Sequence, residues 1–511
     1  MLNWKLISRI SAILLLIEAG VMLICIIVGL CYAENVLPFV WPTLVSILLS
    51  GSGFYLGMGA SANMSRKDGY FVVTLSWMIF ALVGMTPFLL SGSLPDVASA
   101  FFESMSGFTS TGATVIDDCD SQPRSILIWR SLSQWIGGIG IVFFTIAILP
   151  AFGVGEVKLF AAEATGPMHD KVHPRISVAA RWIGSVYLLL TTLCILALYL
   201  SGMDLFDAVN YALVTTGTGG YGTHSALLHE AFHSPLIEYV LIFFMLVSGI
   251  NYTLIYYTIL KGRLRRLFRD AELRCYLIIA SLATVVCTLM LTIQRIHTLW
   301  SDSWTDGSQS LTSMLSAFEL SLREALFTVV SLQTTTGLAT CDYTVWPMML
   351  MPILAFVMFA GACSGSTSGG FKCVRWSIIF RVVRNEVKHI LHPRAVLPVR
   401  MNGAIISTQI ERTLLAFAAL FVGALFGGAF LLALFGVSPT ESANAFDFYD
   451  AFGLSLASLS NVGPSMGYYG PVHSWSILSP FAKFICSSLM LIGRLEIFPI
   501  LLLFTRSFWK K

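Results

Sequence analysis

Ser106-Gly107-Phe108-Thr109-Ser110-Thr111-Gly112-Ala113-Thr114 is a run of small and hydroxyl residues set between apolar segments. The chain repeats it three times in altered form: Val214-Thr215-Thr216-Gly217-Thr218-Gly219-Gly220-Tyr221, Leu332-Gln333-Thr334-Thr335-Thr336-Gly337-Leu338 and Leu459-Ser460-Asn461-Val462-Gly463-Pro464. Taking Gly112, Gly220, Gly337 and Gly463 as equivalent, Ala stands twelve positions earlier in every copy, at Ala100, Ala208, Ala325 and Ala451. Seven positions before each glycine come Met105, Leu213, Val330 and Leu456, all apolar. Ser99, Asp207, Glu324 and Asp450 precede the alanines and are expected to cap a short helix or pair with its dipole. The register selects Gly220 over Gly217 in the second copy. One Thr- and Gly-rich run reads as an ordinary turn; four in register, each after a half-length helix, read as an internal repeat.

The 511 residues are 56% hydrophobic and 12% charged. A soluble domain carries roughly 25% charged residues, so this is the composition of a polytopic membrane protein. The net charge of +3 is too small to suggest a nucleic-acid partner. Ten cysteines show no C-x-x-C and no metal-ligand spacing. Most lie in apolar runs, where a thiol acts as a small hydrophobe; Cys119 and Cys341 each follow one of the repeated loops, where a disulfide is conceivable.

Apolar runs of spanning length fall near 10–32, 39–59, 70–92, 124–152, 176–201, 235–260, 275–294, 347–383, 411–436 and 474–505. Half-length segments lie at 95–107, 204–214, 320–332 and 444–458. The first run is longer than a signal-peptide core of roughly 7–15 residues and reads as a retained helix. The expected fold is an all-α polytopic membrane protein: two N-terminal transmembrane helices plus four parallel helix–pore-loop–helix repeats around a central pore. The units are 1–68 for the helix pair, then 69–175, 176–270, 271–402 (with an intramembrane gating loop) and 403–511. With both termini cytoplasmic, the exceptions to cytoplasmic placement among the 31 Lys and Arg are Arg124, Arg130, Arg295, Arg323, Lys483 and Arg494. The short loops therefore enter and leave from the outer side.

Non-helical backbone at membrane depth is tolerated where it is buried or lines a water-filled cavity. A half-helix entering from outside turns its partially negative C-terminal end toward the membrane centre. Glycine permits a backbone that aims carbonyl oxygens inward, and rings of carbonyls can replace a cation's hydration shell. A cation filter is thus expected at Ser110, Thr111 and Gly112; Thr218, Gly219 and Gly220; Thr335, Thr336 and Gly337; and Asn461, Val462 and Gly463. The hydroxyls of Ser110, Thr111, Thr218, Thr335 and Thr336 are expected to add oxygens at its inner end.

The 347–383 run is too long for one crossing and is broken by Gly361-Ala362-Cys363-Ser364-Gly365-Ser366-Thr367-Ser368-Gly369-Gly370-Phe371-Lys372, which cannot hold a continuous helix. It reads either as a cytoplasmic loop or as a movable barrier beneath the filter. Gate residues on the second reading are Gly361, Ser364, Gly365, Ser366, Thr367, Ser368, Gly369, Gly370 and Lys372. Arg494, costly in the last span unless paired or solvated, is expected to face the cavity near this loop.

Together the Thr111-Gly112-Ala113-Thr114 motif, Gln134-Trp135-Ile136-Gly137-Gly138-Ile139-Gly140-Ile141, Gln333-Thr334-Thr335-Thr336-Gly337-Leu338 and Ser460-Asn461-Val462-Gly463-Pro464 resemble the Trk/Ktr/HKT superfamily of potassium transporters, most of all the bacterial TrkH-type membrane subunit. The resemblance spans the whole chain. It implies potassium uptake across the bacterial inner (plasma) membrane, as passive flux or as symport with protons or sodium. It also implies one filter glycine per repeat, Gly112 favouring potassium where Ser admits sodium, and it favours the gate reading of 361–372. It further implies a homodimer and a cytosolic nucleotide-binding, TrkA-like regulatory subunit, with 261–274 and 372–400 as docking candidates; the transported ion is K+, and no cofactor is implied. The Gly137–Gly140 cluster reads as close helix packing rather than a dinucleotide loop.

Two other classes compete. A secondary transporter coupling another cation or solute to a proton or sodium gradient typically carries inverted repeats and intramembrane carboxylates; here the repeats run parallel, and Glu18 and Glu496 are the main mid-membrane acids. A membrane enzyme would need a catalytic motif set in its proper structural context. His169 and His173 are spaced for one helix face, but Pro167 and Pro174 oppose a helical metal site.

Overall fold

The computed structural model describes residues 2–60, 65–143, 176–262, 267, 269–302, 311–395, 397–436 and 446–510. Lys158, Lys171, Arg175, His169 and His173, most of the 301–307 stretch and basic residues 263–266 lie outside the described residues.

An apolar hairpin comes first, from Trp4–Cys31 and Leu37–Leu56. Small residues let the two helices approach: Ser50 Oγ donates to Ala12 O at 2.7 Å and Ser8 Oγ to Gly53 O at 3.0 Å. A Ser65–Asp68 capping box then starts Arg66–Gly84. From there the chain runs through four units of like order. The first is Arg66–Gly84 continued by Thr86–Ser91, then Val97–Phe108, then Arg124–Phe143. The second is Ile176–Leu200, Leu205–Gly217 and Pro235–Ser248 with Tyr252–Lys261. The third is Ala271–Asp302, Leu311–Gln333 and Met351–Ala360 with Cys373–Leu391. The fourth is Thr408–Phe435, Phe448–Ser460 and Pro480–Arg494 with Phe498–Leu503. One antiparallel pair, Arg400–Met401 with Ala404–Ile405, lies between the third and fourth.

Among the described residues six helices are long and apolar enough to cross a membrane, or seven if Pro235–Ser248 and Tyr252–Thr258, bent by 100°, count as one. The sequence reading expects ten. The four expected spans not counted are the helices after the repeated loops, of which the first, Arg124–Phe143, ends where the described residues end. The helix in this position carries Arg130 and Gln134 in the first unit and Lys483 and Arg494 in the fourth, all buried, and it breaks at Gly249–Asn251, Gly361–Lys372 and Leu495–Ile497 in the other three places.

Two local expectations are corrected. The short helices are capped three residues before the expected positions: Asp96, Asp204 and Asp447 accept the N–H groups of Ser99, Phe206 and Asp450. Ser99 is thus a residue being capped, Asp207 and Asp450 stand in the first helical turn where the expected pairing with the dipole holds, and Glu324 pairs with Arg295 instead. The third segment is no half-helix, because Leu311–Gln333 continues for 23 residues; Ser321 stands where the others have Asp, and its hydroxyl bonds Ala317 O at 2.7 Å along the helix.

The exceptional basic residues all have partners. Arg130 bonds Glu103 at 2.9 Å, Arg323 bonds Glu238 at 2.8 Å, and Arg295 bonds Glu324. Lys483 donates to Ser99 Oγ at 2.9 Å, and the Arg124 guanidinium lies 4.2 Å from the Tyr32 ring centre. The set of buried acids is therefore larger than Glu18 and Glu496: Glu103, Glu238 and Glu272 are each at most 1% exposed. A cation or backbone donor within reach is what lets them sit there.

Candidate functional site

The recurrent alanines, Ala100, Ala208, Ala325 and Ala451, are all fully buried, so each short helix is packed too closely for a larger side chain. At its C-terminal end each helix closes the same turn. The N–H of the residue before the glycine bonds the carbonyl five residues back: Thr111 to Ser106 at 2.8 Å, Gly219 to Val214 at 2.9 Å, Thr336 to Ser331 at 2.9 Å and Val462 to Ala457 at 3.0 Å. Two residues before the glycine the backbone is left-handed in every loop, with φ of 52° at Ser110, 53° at Thr218, 55° at Thr335 and 55° at Asn461. Only a few per cent of non-glycine residues adopt such angles, so four at one register position mark a shared conformation.

The glycines themselves have φ of 85°, 84°, 79° and 93° at Gly112, Gly220, Gly337 and Gly463. Each Cα is pressed against the next loop. A Cβ on Gly112 would meet Gly219 O, on Gly220 Thr336 O, on Gly337 Val462 O and on Gly463 Thr111 O. The contacts run from loop one to two, three, four and back to one, a closed circuit in sequence order. Gly217, by contrast, ends a helix and packs against the Gln134 backbone. Above the ring a cavity of about 150 Å3 is walled by all four glycines with Asp117, His224 and Trp475 among others.

The five hydroxyls expected at the inner end are engaged with protein groups. Ser110 Oγ donates to Gln134 O at 3.0 Å, and Thr218 Oγ1 to Gly217 O at 2.8 Å. Thr111 and Thr336 share hydrogen bonds of 2.8 Å with Thr109 and Thr334, and Asn461 Nδ2 reaches Thr111 Oγ1 at 2.9 Å. Gln134 braces the second loop, donating through Nε2 to Gly219 O at 2.8 Å. Gly137 and Gly138 bring that helix onto the backbone of Phe108 and Gly217, so the glycine cluster is a packing surface.

Gly361–Lys372 is non-helical, with left-handed Gly361, Gly365, Gly370 and Lys372. It lies under the ring. Thr367 Oγ1 donates to Thr216 O at 3.1 Å, and Gly369 N donates to Thr335 Oγ1 at 2.8 Å. Gly369 also abuts Ser460 O and the Asn461 side chain. Arg494, 2% exposed, completes the set by donating to Thr367 O at 2.8 Å, Ser110 Oγ at 3.1 Å and Gly137 O at 2.9 Å. One segment thus bonds or abuts loops two, three and four and reaches loop one through Arg494. Its flanks are anchored as well. Glu272 accepts from Ser364 N, Tyr252 N donates to Gly365 O at 3.1 Å, and Glu496 bonds Lys372 at 2.8 Å and Arg375 at 2.7 Å. Ser366 and Ser368 bond each other at 2.7 Å. Arg494 therefore does not pair with its near neighbour Glu496.

Outside the ring, His224 links two units: Nδ1 lies 2.9 Å from Asp120 Oδ1 and Nε2 3.2 Å from Asp207 Oδ2. The hydrogen bond to Asp207 outweighs partial burial and, with Asp120, raises the imidazole from 6.5 to about 9. Cys119 and Cys341 are both free thiols. Among the described residues no group of three His, Cys, Asp or Glu is placed to hold a metal ion.

A multi-pass helical chain with four matched loops in a ring is the architecture of an ion transport protein. Residues 39–511 match the TrkH family, described as cation transport protein, and the chain belongs to that family. It is 33% identical to the Trk system potassium uptake protein TrkH of Escherichia coli K12, over 100% of both chains. It is 30% identical to the Trk system potassium uptake protein TrkI of Halomonas elongata, covering 100% of this chain and 98% of that one. The crystal structure of the potassium transporter TrkH from Vibrio parahaemolyticus matches with a TM-score of 0.87 and 31% identity, over 100% of both chains. The chain is accordingly a multi-pass membrane transport protein rather than an enzyme.

Proposed function

We propose that this protein takes up potassium across the bacterial inner membrane through a filter formed by residues 110–112, 218–220, 335–337 and 461–463. The closed circuit of glycine-to-carbonyl contacts carries the reading. Potassium sheds water readily only where oxygens of fixed spacing replace it, and four loops that buttress one another keep that spacing. Thr111, Gly219, Thr336 and Val462 supply the carbonyls next to the glycines. The four units are the repeats 69–175, 176–270, 271–402 and 403–511, with 1–68 as a peripheral helix pair and both termini cytoplasmic.

Residues 361–372 act as the gate, held under the filter by Arg494, whose guanidinium repels cations there. Removing Gly361–Lys372 from this position requires breaking the bonds to Thr216, Thr335 and Arg494, so opening is a concerted displacement. The protein works as a homodimer with a cytosolic nucleotide-binding, TrkA-like subunit that supplies that displacement through 261–274 and 372–400. The Trk system names of its relatives favour such further components. Rubidium uptake into proteoliposomes with competing potassium and sodium tests the function. Strong competition by potassium and weak competition by sodium is expected; equal competition by sodium removes the selectivity, and movement of an organic solute without cation flux removes the class.

A further inference from the structure

A buried charge web lies behind the first of the four loops. Nine residues before the loop glycines stand Glu103, Tyr211, Thr328 and Leu454, so a carboxylate is present in the first unit alone. Glu103 is fully buried on the Val97–Phe108 helix. Its carboxylate accepts from Thr114 Oγ1 at 3.0 and 3.1 Å, from Val115 N at 2.9 Å and from Arg130 Nε at 2.9 Å. Arg130, 1% exposed, spends its other donors on the two loops: NH2 to Thr114 Oγ1 at 3.1 Å and NH1 to Gly222 O at 3.1 Å. Its guanidinium also lies 4.1 Å from the ring centre of Tyr221. Tyr221, the residue after Gly220, donates through its hydroxyl to Glu103 O at 2.8 Å and approaches Ala113 O at 3.4 Å.

We propose that the Glu103–Arg130–Tyr221 web is a specificity-determining positioning device that fixes the outer ends of loops one and two relative to each other. This rests on the filter reading above. Thr114 and Val115 follow Gly112-Ala113, and Tyr221 and Gly222 follow Gly220, so the web holds both chains immediately beyond their ring glycines. Gly112 is also the residue whose Cα is seated on Gly219 O; a slip between the outer ends changes the spacing of that contact. The remaining outer joints are made by hydrogen bonds: Leu228 N to Ala339 O at 3.1 Å, Tyr343 Oη to Ser465 O at 2.8 Å, and Trp475 N to Thr114 O at 2.8 Å together with the Ser474 and Ser476 hydroxyls on Asp117. The loop one–two joint is built on a desolvated ion pair, which tolerates little displacement because a separated charge would be buried alone. Neither Glu103 nor Arg130 touches the ion; both act through the loop backbone.

The test compares rubidium-to-sodium uptake ratios in proteoliposomes for Tyr221→Phe, Glu103→Gln and Gly112→Ser, with monodispersity in detergent as the folding check. Losing one buried hydrogen bond in Tyr221→Phe is expected to lower the ratio about 3- to 10-fold, with the protein still folded. Glu103→Gln is expected to lower it further. A purely structural role would reduce the amount of folded protein and leave the ratio as it was. If Gly112→Ser lowers the ratio while folded Tyr221→Phe and Glu103→Gln match wild type, the web has no positioning role and the filter reading survives. If Gly112→Ser leaves the ratio unchanged, the filter reading fails and this inference with it. Should Glu103→Gln not fold, Tyr221→Phe decides.

Discussion

Replacing Arg494 by Ala is the perturbation whose consequence follows most directly from the geometry. The side chain makes three hydrogen bonds, and the one to Thr367 O at 2.8 Å ties the last unit to the gating segment. A hydrogen bond from a charged donor contributes about 1.5–3 kcal/mol, and each 1.4 kcal/mol is a factor of ten in an equilibrium. Losing that bond shifts the balance toward the displaced loop by about 10- to 100-fold. The bonds to Ser110 Oγ and Gly137 O run to the fixed scaffold and weigh on both states alike. Removal of a buried positive charge from beneath the filter acts in the same direction, since it lowers the barrier to an incoming cation. The assay is initial rubidium uptake into proteoliposomes at matched protein density, without the cytosolic partner. Arg494→Ala is expected to raise uptake by one to two orders of magnitude, and Arg494→Lys, which keeps charge but loses the fork, by less. Unchanged uptake from a monodisperse Arg494→Ala protein would refute the assignment of Arg494 to the gate.

Three further outcomes are expected. Gly337→Ala places a Cβ on Val462 O at a φ of 79°; the left-handed angle alone costs about 1–2 kcal/mol, and the displaced carbonyl is expected to abolish discrimination between rubidium and sodium in competition uptake. The His224 bridge has a folded-state pKa raised from 6.5 to about 9, so its contribution is full below pH 6.5 and is lost as pH rises through about 9. Thermal unfolding in detergent from pH 7 to 10 should show a loss of stability in wild type that is smaller in His224→Gln, and equal pH dependence of the two proteins would contradict the bridge. Glu18 is buried with both carboxyl oxygens lacking a hydrogen-bond partner among the described residues, so Glu18→Met should raise the melting temperature, by about 1–3 kcal/mol of stability; a lowered melting temperature would show that Glu18 has a partner.

Much of this arrangement was legible in the sequence because it rests on residues with no substitute. A glycine at a φ near 80–90° leaves a mark in every copy, and an alanine buried to 0% leaves another; the fourfold register follows from those two positions. The break at 361–372 was legible for the same reason, since Gly and Ser crowd it. Other features leave weaker traces. The caps sit at Asp96, Asp204 and Asp447, outside the apolar pattern used to place the helices, and the third unit has Ser321 there instead. Ser110, Thr218, Thr335 and Asn461 share a left-handed angle without sharing a residue type, so no residue identity announces it.

The buried pairs were the least legible. Glu103 and Arg130 are 27 residues apart, and only folding shows that they meet. The available signal was a charged residue within an apolar half-length segment and a second within the span that follows, each costly alone. Arg494 shows the same physics: Glu496, two residues on, turns away to Lys372 and Arg375, because the helix ends at Arg494 and, past Leu495, Glu496 and Ile497 adopt φ of 58° and 62°.

The central claim is that four loops form one cation site, and heavy-cation density in a structure determined with rubidium or thallium tests it most directly. The account predicts anomalous density on the axis enclosed by the carbonyls of Thr111, Gly219, Thr336 and Val462, between the outer cavity and Gly369. Density elsewhere in the membrane-spanning part, with none inside this ring at saturating cation, would contradict it.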